Sequence, residues 1–92
     1  MTTDVVPQQL RLVIVEDSDD DFEILLRELT KAGYAPRAER VTTGAELAAA
    51  LARPWDMMIT DWLLPGFGGL QALEILAARD VDLPCIVISG TP

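Results

Sequence analysis

The apolar positions of the chain change their period several times, and each change marks an element. Leu12-Val13-Ile14-Val15 is a continuous apolar, β-branched run without alternation, the pattern of a strand covered on both faces. Phe22, Leu25, Leu26 and Leu29 then fall at i, i+3, i+4 and i+7, which predicts an amphipathic helix stopped by Gly33. Ala35 to Val41 is a weaker strand, interrupted by Arg37 and Arg40, as suits a sheet edge with one side in water. Thr43 and Glu46 have the spacing of a capping box ahead of Leu47, Ala48 and Leu51, and Pro54 closes that helix. Trp55 to Thr60 predicts a third strand, centred on Met57, Met58 and Ile59. Asp61 to Gly69, rich in glycine and containing Pro65, predicts a loop. Leu70, Leu73, Ile75, Leu76 and Ala77 mark a third helix, Asp80 to Pro84 a turn, and Cys85 to Ile88 a fourth strand buried on both faces. Residues 1–9, polar with Pro7 and no periodicity, read as a flexible leader.

The order β-α-β-α-β-α-β with short connections specifies a parallel sheet with helices on both faces. Ligands of such sheets bind beyond the carboxyl ends of the strands, near the point where strand order reverses. The residues at those ends are Glu16 and Asp17 after the first strand, Asp61 after the third and Ser89 after the fourth. With the first and third strands adjacent, three carboxylates and a hydroxyl meet at one rim.

Composition sharpens this picture. Ninety-two residues allow one domain with a small core. Fifteen acidic against seven basic side chains give a net charge of −8, the wrong sign for a nucleic-acid binder. Five of the fifteen carboxylates (Glu16, Asp17, Asp19, Asp20, Asp21) lie within six consecutive positions, so the acidity is mostly local. One cysteine and no histidine argue against an internal disulfide and a zinc site. No apolar run approaches the roughly 20 residues of a membrane span, and the amino terminus lacks the layout of a secretory signal. A soluble, cytoplasmic domain is the expectation.

Crowded carboxylates need relief. At an effective dielectric of about 20, two like charges about 4 Å apart repel by about 4 kcal/mol. Hard oxygen donors without histidine or cysteine point to Mg²⁺, which binds through one or two carboxylates and keeps several waters. Such a partly hydrated site suits a phosphate group.

Four linked signals now stand in order: Glu16-Asp17 after Leu12–Val15, Asp61 closing Trp55–Thr60, the loop Asp61-Trp62-Leu63-Leu64-Pro65-Gly66-Phe67-Gly68-Gly69, and Pro84-Cys85-Ile86-Val87-Ile88-Ser89-Gly90. Over Leu10 to Pro92 the chain resembles the receiver domain of bacterial two-component response regulators. The resemblance implies a flavodoxin-like, doubly wound α/β sheet with strand order 2-1-3-4 over residues 10–92. It implies a phosphoryl-accepting signalling domain rather than an enzyme, with Asp61 as phosphoacceptor and a histidine kinase or phosphotransfer domain as donor. Glu16, Asp17, Asp61 and the backbone carbonyl of Leu63 would hold Mg²⁺, and Ser89 would hydrogen-bond a phosphoryl oxygen and act as a switch.

Receivers typically have about 120 residues with five strands and five helices. Here the fifth strand with its lysine and aromatic switch residue has no counterpart, nor do the last two helices; the one lysine is Lys31. The chain is therefore expected to be a fragment of a longer receiver, or to associate with itself through the exposed edge of the fourth strand. It is also expected to bind Mg²⁺ but to accept and hold phosphate poorly. The alternative function is that of a truncated or pseudo-receiver, an interaction module without efficient phosphorylation.

Other readings of the same residues are weaker. Asp17, Asp19, Asp21 and Glu28 match positions 1, 3, 5 and 12 of an EF-hand loop, but Phe22 stands where that loop needs glycine. Asp17-Ser18-Asp19 resembles the aspartate pair of haloacid-dehalogenase-like phosphatases, although the chain is too short for that fold. Asp19, Asp20, Asp21 and Glu23 read as a solvated helix start with Asp20 or Asp21 as cap. Met57, Met58, Cys85 and Trp55 read as packing residues, and Trp62 as a fluorescent reporter of the site.

Overall fold

Four strands and three helices alternate in the computed structural model, whose described residues are 8–61, 69–79 and 82–88. They are β1 (Gln8–Val15), α1 (Asp19–Lys31), β2 (Tyr34–Val41), α2 (Gly44–Ala50), β3 (Met57–Asp61), α3 (Gly69–Ala78) and β4 (Cys85–Ile88). The strands form one parallel sheet in the order β2-β1-β3-β4, the flavodoxin-like arrangement expected from the alternation of elements. β1 is central because its apolar run can be covered on both faces. It pairs with β2 over all eight residues, from Gln8↔Tyr34 to Val15↔Val41, and with β3 from Leu12↔Met57 to Val15↔Thr60.

Side chains alternate between two unequal layers. On one face Val13, Val15, Val41 and Met58 pack with Leu47 and Ala50 of α2 and Ala72 and Leu76 of α3. On the other, Leu12, Ile14 and Ile59 meet Phe22, Leu25, Leu26 and Leu29 of α1. The second layer is thinner, and α1 has no fully buried residue.

Several boundaries differ from the sequence expectation. β1 begins at Gln8, inside the segment read as a leader. Gln8 and Gln9 are exposed, so hydrophobic patterning is blind to them; backbone pairing alone extends the strand. The Gln8 N–H donates to the Gly33 carbonyl at 3.3 Å, and Gly33 adopts φ +100°, a left-handed turn that glycine enters at least cost. β3 starts at Met57 and includes Asp61, whereas Trp55 stands before the strand, half-buried against the core with its Nε1–H on the Ala50 carbonyl at 2.8 Å. In α3 the core positions are Ala72 and Leu76, while Leu73 is exposed. β4 is not buried on both faces: Ile86 is 46% and Val87 41% exposed. Among the described residues β4 pairs only with β3, so no strand shields its outer side.

The α2 start keeps the expected chemistry with a shifted partner. Thr43 caps the helix, its Oγ1 accepting from the Glu46 N–H at 3.1 Å. Glu46 reaches back one residue further than a strict capping box, accepting from the Thr42 N–H at 2.7 Å and its hydroxyl at 2.9 Å.

Candidate functional site

The parallel register carries the carboxylates to one end of the sheet. Val15 pairs with Val41 and with Thr60, so the next residues, Glu16 and Asp61, emerge side by side. Glu16 continues the ladder by one step, its N–H donating to the Val41 carbonyl at 3.2 Å. Asp61 is held in β3 by pairing with Ile88 of β4. Beneath it Thr60 is fully buried, its Oγ1 donating to the Asp61 carbonyl at 3.3 Å.

Glu16 is the unusual member, a carboxylate only 4% exposed. Its Oε1 accepts from the Ser18 N–H at 3.0 Å. Burial pushes its pKa above the ordinary glutamate value, and the charges of Asp61 and Asp21 push it the same way. The nearby Asp17 carboxyl group also favours the protonated form, while the Ser18 amide opposes all of these. Asp17, Asp21 and Asp61 thus act on one buried carboxylate. The other expected site residues, Leu63 and Ser89, lie outside the described residues, as does Trp62.

Ser18, not Asp20 or Asp21, caps α1. It has extended backbone angles (φ −95°, ψ 121°), and its Oγ accepts from the Asp21 N–H at 3.2 Å. The helix starts at Asp19, which leaves Asp19, Asp20 and Asp21 as the acidic first turn, favourable at the positive end of the helix dipole. A serine three residues before an aspartate was the available signal.

Arg40 is the residue that sequence reasoning passed over. It comes from β2 and touches the β1–α1 connection, with Nη1 on the Asp17 carbonyl and Nη2 paired with Asp19. No periodicity marks such a contact, because it joins positions far apart in sequence.

Whether the rim suits Mg²⁺ is a question of donors and charge. Every side chain acting on Glu16 in that crowd offers oxygen, and the repulsion among them favours a cation. Among the described residues no three His, Cys, Asp or Glu side chains form a group that could hold a metal ion. Mg²⁺ asks for less, since one or two carboxylates with waters suffice, and the donors present fit it on those terms. A groove of about 250 Å³ adjoins the rim, lined by Glu16, Asp21, Ile24, Leu25, Glu28 and Ile88. A larger cavity of about 430 Å³, lined by Trp55, Arg53, Leu83 and neighbours, includes none of the rim carboxylates.

The model of the response regulator receiver domain matches residues 12–92, nearly the whole chain and all four strand ends. The chain belongs to the response regulator receiver domain family. It is similar to the phosphate regulon transcriptional regulatory protein PhoB of Klebsiella pneumoniae, 31% identical over 84 residues, which covers 87% of this chain and 35% of that protein. Similarity to the transcriptional regulatory protein FixJ of Azorhizobium caulinodans is 29% over 85 residues, covering 92% of this chain and 40% of FixJ. A crystal structure of FixJ-N superposes with a TM-score of 0.73 at 28% identity, over 89% of this chain and 65% of that one. The chain therefore spans between a third and two fifths of the length of these two relatives. As a receiver domain it is a signalling domain of two-component systems. Among the described residues, no helix of this receiver domain is long and apolar enough to cross a membrane.

Proposed function

We propose that this receiver domain takes a phosphoryl group onto Asp61 from the phosphohistidine of a histidine kinase or phosphotransfer domain, in the cytoplasm. The reading rests on one observation above all: the register of β1 and β3 sets Asp61 at the end of β3 beside the buried Glu16. An Asp61 carboxylate oxygen attacks phosphorus, the P–N bond breaks, and the imidazole nitrogen keeps the electron pair and takes a proton. Glu16, Asp17, Asp61 and the carbonyl of Leu63 are the proposed holders of Mg²⁺, which supplies charge neutralisation where a charged phosphoryl group meets an anionic nucleophile. Burial and pairing on both sides of β1 fix Glu16, so the chain contributes mainly positioning. Ser89 is the proposed hydrogen-bond donor to a phosphoryl oxygen. The aspartyl phosphate carries about −1.5 to −2 charges where the Asp61 carboxylate carried one, together with three phosphoryl oxygens, and that change is the signal.

The test is labelling with acetyl phosphate, read on a phosphate-affinity gel, with and without MgCl₂. Labelling that needs Mg²⁺ and vanishes in Asp61→Asn supports the reading. Labelling that survives Asp61→Asn moves the acceptor elsewhere, and a chain that never labels belongs to an interaction module.

A further inference from the structure

Arg40 stands one residue from the end of β2, paired in register with Ile14 of β1. Its guanidinium makes three different contacts, all with residues 17–22. Nη1 donates to the Asp17 carbonyl at 3.3 Å, Nη2 pairs with Asp19 Oδ1 at 2.5 Å, and the group lies 5.8 Å from the centre of the Phe22 ring. The Arg40 side chain is 32% exposed and that of Asp19 81%, so as an ion pair alone the contact would be weak. Its geometry says more. A planar, five-donor fork can hold a carbonyl, a carboxylate and an aromatic face at once, which an ammonium cannot.

The contacts bracket Asp17. On one side Glu16 is tied to β2 through its N–H on the Val41 carbonyl; on the other the Asp17 carbonyl is tied to β2 through Arg40. Asp17 itself is exposed, and no core packing fixes it. We infer that Arg40 is a positioning residue, which holds the Asp17 peptide so that the Glu16–Asp17 pair presents its oxygens to Mg²⁺. This rests on the Mg²⁺ reading of the rim proposed above.

Two effects of removing Arg40 have opposite signs, which makes the inference testable. Arg40 is a cation beside an acidic rim, and it also lies within electrostatic reach of Glu46. Deleting its charge alone must tighten Mg²⁺ binding by Coulomb attraction. Deleting a strut must loosen it, by about tenfold if Arg40 behaves like other residues that orient metal ligands. The experiment is calorimetric titration of the chain with MgCl₂ for wild type, Arg40→Gln and Arg40→Lys, with circular dichroism melting in EDTA as the check on folding. The expected result is about tenfold weaker binding in both variants, because lysine keeps the charge but not the fork. Arg40→Gln binding as tightly as wild type, or tighter, overturns the inference and leaves the phosphoacceptor reading intact. So does Arg40→Lys binding like wild type, because the guanidinium fork would then not be what holds the Asp17 peptide. A wild-type chain that binds no Mg²⁺ overturns both. If Arg40→Gln fails to fold, the Arg40→Lys titration decides alone.

Discussion

The unequal layers of the sheet make a quantitative prediction about two leucines. Leu47 of α2 is 0% exposed and sits in the larger cluster among Val13, Val15, Val41 and Met58. Leu26 of α1 is only partly buried, on a helix with no fully buried residue. Leu47→Ala loses a fully buried side chain and leaves a cavity that strands on a rigid sheet cannot close, at a cost of about 3–4 kcal/mol. Leu26→Ala loses about half as much transfer energy, and water already reaches its neighbourhood, so it costs about 1–2 kcal/mol. A chain of this length has a total stability of about 5–14 kcal/mol, and the first change removes a large share of it. Urea unfolding followed by circular dichroism reads both. With a slope of about 1 kcal/mol per molar, the midpoint falls by about 3–4 M for Leu47→Ala and by about 1–2 M for Leu26→Ala. Equal shifts, or a larger one for Leu26→Ala, would refute the assignment of the main core to the α2–α3 layer.

Because Glu16 has a raised pKa in the folded chain, folding favours its protonated form; that stability is present in acid and lost as pH rises through the folded-state value. Glu16→Gln should therefore melt higher than wild type at neutral pH in EDTA, the difference closing in acid, while Mg²⁺ binds it less well. Asp56 behaves oppositely: hydrogen bonds from the Arg11 side chain (3.1 Å to Nη2) and N–H (2.7 Å) lower its pKa. Its contribution is present above the ordinary aspartate value and lost as pH falls through the folded one, so Asp56→Asn should lose less stability than wild type over that acid range in a melting series. Thr43→Ala removes the α2 cap and should cost about 1 kcal/mol in the same urea assay.

Much of this was legible in the residues themselves. The unalternating Leu12–Val15 run announced a doubly covered strand, and it is the central one. Thr43 and Glu46 announced α2, and the abrupt carboxylates after the strand announced the rim. What stayed hidden depended on neighbours distant in sequence. Gln8 and Gln9 extend β1 only because Gly33 and β2 offer backbone partners. Ile86 and Val87 look like core residues, yet among the described residues they lie on an edge strand and are exposed. The helix period also misled in α3, where small Ala72, not Leu73, occupies the close contact with the sheet. Arg40 gave no signal because a guanidinium that crosses from one strand to another's loop leaves no periodic trace.

One feature of β1 has a dynamic consequence. Leu12 to Val15 are at most 1% exposed, and both edges of the strand are hydrogen-bonded. Their amides should be the slowest in the molecule to exchange with deuterium, opening only when the whole chain unfolds, while β4 and α1 open earlier. Glu16 follows directly on Val15, so the proposed phosphoacceptor rim is mounted on the last part of the molecule to yield. Breathing at the periphery can then proceed without loosening the anvil on which the proposed chemistry would be struck.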